Sequence, residues 1–150
     1  MVGWAILAAN VGSTLFMTGL IWFVQIVHYP LMGTVPQGEF RRYALAHQRQ
    51  TTWVVAPLMF IEAVSGFLVI LIHPPGMQLA VAIAGFLLII FIFFKTGVAQ
   101  VPQHRRLAIG YDQQTCCELV KSNWWRTIAW TIRAAIVLYL FVACATFNGS

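Results

Sequence analysis

Three histidines, His28, His47 and His104, are the residues of this sequence best suited to carry chemistry. Imidazole nitrogens ligate zinc, copper and non-haem iron, and two such rings can ligate a haem. The three residues form no local motif such as HExxH, so separate helices must bring them together. A metal ion could take further ligands from water or from a carboxylate, namely Asp112, Glu118 or Glu39. Hydrogen bonds to loop carbonyls or lipid phosphates, and a proton relay, are the alternative roles.

Glu62 and Arg133 are the other catalytic candidates, because each is a charged residue within an apolar stretch. In helices that begin near residues 51 and 123, both side chains lie about 15 Å deep, near the bilayer centre. An ionised group there costs several kcal/mol unless it is paired or hydrated. Matched depth and opposite charge therefore predict an ion pair. It is either a clamp between helices or the floor of a polar cavity that orients a ligand.

A polar stripe follows one face of the first apolar segment. Its members lie within about 80° of one another at ~100° per residue: Asn10, Thr14, Thr18, Gln25 and His28. Such a stripe cannot face lipid and is expected in the bundle interior. Gln25 is therefore a candidate for binding a cofactor. Trp22 and Trp130 lie deeper than the aromatic belts and could wall a site for a planar apolar ligand, with core packing as the alternative.

The composition shows which elements must position these residues. Of the 150 residues, 60% are hydrophobic and 9% are charged, whereas soluble domains carry roughly 25% charged residues. The mean hydropathy is +0.79. A soluble domain, a disordered chain, a nucleic-acid module and a disulfide-built secreted domain all fit poorly. The sequence predicts an integral membrane protein with about four spans of ~20 residues each.

The spans are predicted at about 4–30, 51–73, 77–100 and 123–146, as a single all-α domain over 1–150. Short connections favour an up-and-down four-helix bundle. Segments 37–50 and 113–122 contain no helix breaker and are candidate extensions of the second and fourth helices. Loops 31–50 and 101–122 carry basic residues, whereas both termini carry none. The positive-inside rule therefore places these loops in the cytoplasm and both termini outside. Membrane topology explains the excess of basic residues, so we predict no nucleic-acid partner.

Four segments of the chain resemble a family of small, largely uncharacterised bacterial four-span membrane proteins. They are VHYPLM (27–32), HQRQTTWVVAPLMFIEA (47–63), VPQHRRLAIGYD (101–112) and NWWRTIAWTIR (123–133). The resemblance covers nearly the whole chain and implies that the three histidines, Glu62 and Arg133 lie in signature segments. It also implies a bacterial inner membrane. A more remote similarity, in topology and His28, to anthrone-oxygenase-like membrane proteins implies oxidation of an apolar substrate of polyketide or quinone type.

The leading hypothesis is a membrane oxidoreductase that binds zinc, copper, iron or haem at a histidine site open to the cytoplasm, with Glu62 and Arg133 beneath it. One alternative is a non-catalytic accessory subunit of a larger membrane complex, and homo-oligomers are also possible. Another is a small proton-coupled carrier that uses Glu62. Membrane lipids are partners in every case.

Overall fold

Four long helices make up the computed structural model, which describes residues 2–147. We number them α1 (Val2–Met32), α2 (Gln37–Ile72), α3 (Leu79–Leu107) and α4 (Gln113–Phe147). All four are long and apolar enough to cross a membrane. No strand occurs in the described part of the chain. The predicted all-α, four-span fold is therefore confirmed.

The helices exceed the predicted spans, mainly at the ends that carry basic residues. Segments 37–50 and 113–122 are helical and continuous with the apolar parts of α2 and α4, as their lack of breakers indicated. Helix α3 extends beyond residue 100 to Leu107. Pro57 lies within α2, which is helical on both sides of it. Hydropathy marks the apolar part of a span, whereas the backbone continues as helix until a cap or turn ends it.

The bundle has each helix beside its neighbours in sequence. Helix α1 packs against α2 and α4, and α3 packs against the same two helices, so α2 and α4 lie diagonally opposite. Connections 33–36, 73–78 and 108–112 are too short for any arrangement other than antiparallel neighbours. We call the end with connections 33–36 and 108–112 the basic end, because Arg41 and Arg106 lie beside them.

Local sequence explains how two of the connections form. Between α2 and α3, Gly76 has φ +82°, and a Cβ there would lie 2.6 Å from the Cβ of Phe147. Before α4, the backbone N–H of Thr115 donates to Oδ2 of Asp112 at 2.9 Å, and the Thr115 hydroxyl donates to the same oxygen. These bonds satisfy a free N–H of the first helical turn. The hydrogen bonds from Thr115, led by that of its hydroxyl, lower the pKa of Asp112.

Two π-helical turns interrupt the α-helical geometry near the basic end. They span Val24–His28 in α1 and Thr96–Gln100 in α3. Each is followed at its second residue by a proline, Pro30 or Pro102. Proline has no N–H to donate and its ring crowds the preceding turn, which favours a wider turn there. Such wide turns often occur at functional sites, and here both lie at the level of the histidines.

Candidate functional site

The three histidines converge at the basic end, one from each of α1, α2 and α3. The ring centroids of His28 and His47 are 4.2 Å apart, and the rings stack at an interplanar angle of 19°. The ring of His47 lies 5.6 Å from that of His104. The π-turn in α1 places His28 on the side of α2, and the long N-terminal extension of α2 carries His47. The structure thus brings together three residues that the sequence only placed at a similar depth.

The hydrogen bonds of these rings involve neighbouring hydroxyl groups. The Tyr43 hydroxyl lies 3.3 Å from Nε2 of His28, and the Thr51 hydroxyl lies 3.1 Å from Nδ1 of His47. Imidazole lone pairs lie in the ring plane, so stacked rings do not aim them at one point between them. Among residues 2–147, no group of three or more His, Cys, Asp or Glu side chains is arranged to hold a metal ion. Metal or haem binding stays a prediction.

The three carboxylates considered as additional metal ligands all bond within their own segments. Glu39 pairs with Arg42 at 4.0 Å on the surface. Glu118 accepts a hydrogen bond from Gln114, and Asp112 caps α4. None of them points to a shared site with the histidines.

A cavity of about 340 Å³ opens beside the histidine cluster, between α1, α2 and α3. Its apolar wall includes Met17, Ile21 and Met59. Its polar wall has ten members: Tyr29, His47, Gln48, Thr51, Thr52, Thr96, Gln100, His104, Arg105 and Arg126. Of the two arginines, Arg105 is exposed and Arg126 is buried. Residues of both π-turns line it, since the wider turns displace their side chains from regular helical positions. An apolar cavity with a few convergent polar groups is the usual form of a small-molecule site.

A second groove continues from this cavity along the crevice between α2 and α3. It has a volume of about 670 Å³ and shares Ala56, Met59, Thr96 and Val101 with the cavity. The remainder of its wall is apolar, with Phe60, Phe67 and Phe93 among the lining side chains. The two spaces therefore adjoin at these four residues, with the cavity beside the histidines and the groove at the apolar flank of the bundle.

Glu62 and Arg133 form the expected ion pair in the centre of the bundle. Nε of Arg133 lies 2.7 Å from Oε1 of Glu62, and the two side chains are 2% and 1% exposed. The carboxylate also accepts hydrogen bonds from the Thr14 hydroxyl at 2.9 Å and the Trp130 indole at 3.0 Å. The ion pair therefore links the two diagonal helices across the core.

Arg133 bonds to all three other helices. Besides Glu62 of α2, it donates to the carbonyl of Gly85 in α3 at 2.7 Å and to Oδ1 of Asn10 in α1 at 3.3 Å. Glycine allows close packing around this guanidinium. A Cβ on Gly66 would lie 2.9 Å from Cδ1 of Ile89, and one on Gly85 would lie 3.0 Å from Cγ2 of Ile136 and 3.3 Å from Nη1 of Arg133. The polar stripe of α1 faces this interior, as expected: Asn10 and Thr14 are buried.

Neither Glu62 nor Arg133 is among the residues that line the cavity. Trp130 lies between the two regions, since its indole bonds to Glu62 while Arg126 lies 5.1 Å from its ring centroid. A catalytic role for Glu62 and Arg133 stays a prediction. Their geometry is that of an interhelical clamp.

The three candidate cofactor-binding residues also lie outside the cavity wall. Trp22 is 39% exposed, and its indole donates to the Thr131 hydroxyl at 3.0 Å. Gln25 is buried and accepts a hydrogen bond from Asn123 at 2.8 Å. Trp130 is fully buried in the central apolar cluster with Met17 and Met59. A role in holding a cofactor stays a prediction for all three.

Sequence reasoning missed Arg126 as a site residue. Arg126 lies close to residue 123, the predicted start of the fourth span, where an arginine can face the membrane interface. In the structure α4 begins at Gln113, and Arg126 is only 7% exposed. Its spacing was the available signal, since Arg126 and Arg133 are seven residues apart and so share one face of a helix. Tyr29 and Gln100, which bond to each other at 3.0 Å, line the same part of the cavity.

No family model matches the chain. No curated protein and no solved structure matches it either. The family resemblance of the four sequence segments stays a prediction.

Proposed function

We propose that this membrane protein binds a small, mainly apolar molecule in the cavity between α1, α2 and α3, and that the histidines act on it or position it. The cavity beside the histidine cluster is the single observation that carries the proposal. Its wall combines apolar side chains with His47 and His104, and the groove between α2 and α3 gives a membrane-dissolved molecule a route to them.

A bulky side chain in the groove provides the test. A Cβ on Gly97 would meet nothing within 4 Å, so Gly97→Trp should fill the groove without displacing the backbone. Gly19 in α1 is equally open and lies away from the groove, so Gly19→Trp is the matched control. We expect saturable binding of dodecanol by the wild type and the control, and binding weakened about tenfold or more in Gly97→Trp. Equal binding by all three proteins would contradict the proposal.

The second candidate function is metal-dependent oxidation of the bound molecule, with His28, His47 and His104 as ligands of a transition metal or haem. The observation that favours it is the meeting of three imidazoles from three helices, with centroid distances of 4.2 and 5.6 Å. Ligation requires the stacked rings of His28 and His47 to rotate, so that their nitrogens point to a common position.

We further propose that the basic end lies in the cytoplasm and that the membrane is a bacterial inner membrane. The distribution of charge supports the orientation: Arg41, Arg42, Arg105 and Arg106 all lie at this end, whereas connection 73–78 contains no Lys or Arg. The resemblance of the four sequence segments supports the bacterial inner membrane. In this orientation the histidine cluster lies near the cytoplasmic surface, and the groove is open to the acyl chains of the bilayer.

A further inference from the structure

Arg126 is the buried charged residue of the cavity wall, and the function proposed above leaves it without a role. The other arginine of the wall, Arg105, is exposed. Arg126 is 7% exposed and lines the cavity. Arginine stays protonated at any pH of interest, so its positive charge is permanent. No carboxylate of residues 2–147 forms an ion pair with it, whereas the other deeply buried arginine, Arg133, pairs with Glu62.

The contacts of Arg126 satisfy only part of its guanidinium. Nη1 donates to Oδ1 of Asn123 at 2.9 Å, and the group lies over the ring of Trp130 at 5.1 Å. Nε is the single buried side-chain nitrogen or oxygen in the described residues that has no hydrogen-bond partner. Buried charges in proteins are normally paired, and an unsatisfied donor is normally bonded once its ligand is present.

Neighbouring groups hold this arginine in place without neutralising it. Asn123 is oriented by Gln25, to whose Oε1 it donates at 2.8 Å. On the far side of the cavity wall, Gln100 donates to the Ser122 hydroxyl at 2.7 Å and accepts from Tyr29. All these side chains are neutral, so none of them compensates the positive charge of Arg126 in the cavity wall.

The apolar groove indicates the rest of the ligand whose negatively charged group pairs with Arg126. It begins at Met59 and Thr96 in the cavity wall and runs between α2 and α3 past Phe60 and Phe93. A ligand that occupies both spaces needs an anionic oxygen group at one end and an apolar body at the other. The residues that line the groove on α2 run from Ala56 to Leu68, about three helical turns, which suits a single acyl chain.

Resting on the proposed cavity function, we propose that the ligand is a single-chain amphiphilic carboxylate whose headgroup pairs with Arg126 and whose apolar chain lies in the groove between α2 and α3. A guanidinium pairs with a carboxylate through charge-assisted hydrogen bonds, and it can form two of them in parallel. This class includes free fatty acids and other long-chain acids dissolved in the membrane.

Binding of dodecanoate and dodecanol, two probes with the same chain and different headgroups, tests the charge. The full-length protein in phosphatidylcholine nanodiscs is assayed by scintillation proximity at pH 8, where dodecanoate is ionised. A hydrogen bond to a charged group is worth enough to change a dissociation constant by about tenfold or more. We therefore expect the wild type to bind dodecanoate at least about tenfold more tightly than dodecanol.

Three variants separate the effect of charge from that of folding. Arg126→Gln should lose the preference for dodecanoate and keep dodecanol binding, whereas Arg126→Lys, which retains the charge, should keep a preference. Arg41→Gln, on the exposed surface of the basic end, should match the wild type. A preference for dodecanoate that is lost in Arg126→Gln and kept in Arg126→Lys follows the charge at this position. Misfolding does not explain such a pattern, because Arg126→Gln still binds dodecanol.

Other results would overturn the inference in different ways. Equal binding of dodecanoate and dodecanol by the wild type and Arg126→Gln would remove the anionic ligand and leave the proposed cavity function intact. Saturable binding of neither probe would remove both. If phosphatidylglycerol displaced all bound dodecanoate, and did so only with Arg126 present, the anionic ligand would be a two-chain lipid. This result would overturn the proposal of a single-chain ligand.

Discussion

Arg133 reaches all three other helices from one side chain, and its charge is balanced by Glu62 alone. Removing the carboxylate leaves the guanidinium buried and charged without a counter-ion. Breaking a buried ion pair in this way lowers the free energy of unfolding by about 3–5 kcal/mol. The hydrogen bonds from Thr14 and Trp130 to Glu62 lose a charged acceptor in the same step. The pair is therefore a strong contributor to the specific packing of the four helices.

We expect Glu62→Gln to lower the free energy of unfolding by about 3 kcal/mol or more. The matched control is Glu39→Gln, the same change in the exposed Glu39–Arg42 pair at 4.0 Å, which should have little effect. Unfolding in mixed micelles, followed by tryptophan fluorescence, measures both. Similar stability of the two variants would show that the central pair is not the clamp described here.

The histidines give a second prediction at the residue scale. If they ligate a metal or haem, the purified protein should contain a bound metal or show haem absorbance, and the triple variant His28→Ala, His47→Ala, His104→Ala should contain neither. His73→Asn is the control: His73 lies at the opposite end of the bundle with φ 46°, which asparagine tolerates. Elemental analysis and absorbance spectra provide the measurement. Equal metal content in the triple variant and the control would exclude these histidines as ligands.

Asp112 governs the start of α4, the helix that carries both buried arginines. Its oxygen accepts from Thr115, and these hydrogen bonds lower the pKa of the carboxyl group in the folded protein. A lowered folded-state pKa means that the ionised form stabilises the fold. This contribution is complete at neutral pH and is lost as the pH falls below the ordinary pKa of aspartate toward its lowered folded value.

We expect Asp112→Ala to reduce stability at neutral pH, and Asp112→Asn to keep most of it, because asparagine is also a good N-cap. The Asn variant should lose the acid-dependent part of the wild-type stability curve, since it has no titrating group. Unfolding curves at pH values from neutral to acidic test this for all three proteins. An Ala variant as stable as the wild type at neutral pH would show that the cap is unimportant.

At the level of elements, periodicity and charge predicted four helices, the inward-facing stripe of α1 and the ion pair. These features follow from regular helix geometry and the exclusion of charge from lipid. The π-turns at Val24–His28 and Thr96–Gln100 were not predictable in this way, because they depart from the regular spacing that such reasoning assumes. Arg126 was missed for a different reason: it lies near the end of a predicted span, where the sequence does not show whether an arginine faces the bundle interior or the membrane interface. The structure buries it against Asn123 and Trp130.

Orientation is a property of the whole molecule. The basic end should face the cytoplasm, because Arg and Lys residues next to short loops resist translocation. A C-terminal alkaline phosphatase fusion in bacterial cells should therefore be active, and a C-terminal green fluorescent protein fusion dark. The reverse pattern would place both termini in the cytoplasm and the histidine cluster at the outer surface.

The central claim for the whole molecule is that a small apolar molecule enters between α2 and α3 and reaches the histidines. A photoactivatable diazirine analogue of dodecanol, with its attachment sites located by mass spectrometry, tests this claim most directly. We predict attachment concentrated at groove and cavity residues such as Ala56, Met59 and Gly97, competed by dodecanol and reduced in Gly97→Trp. Attachment spread evenly over lipid-facing residues such as Phe16 and Ile132, and unaffected by Gly97→Trp, would contradict it.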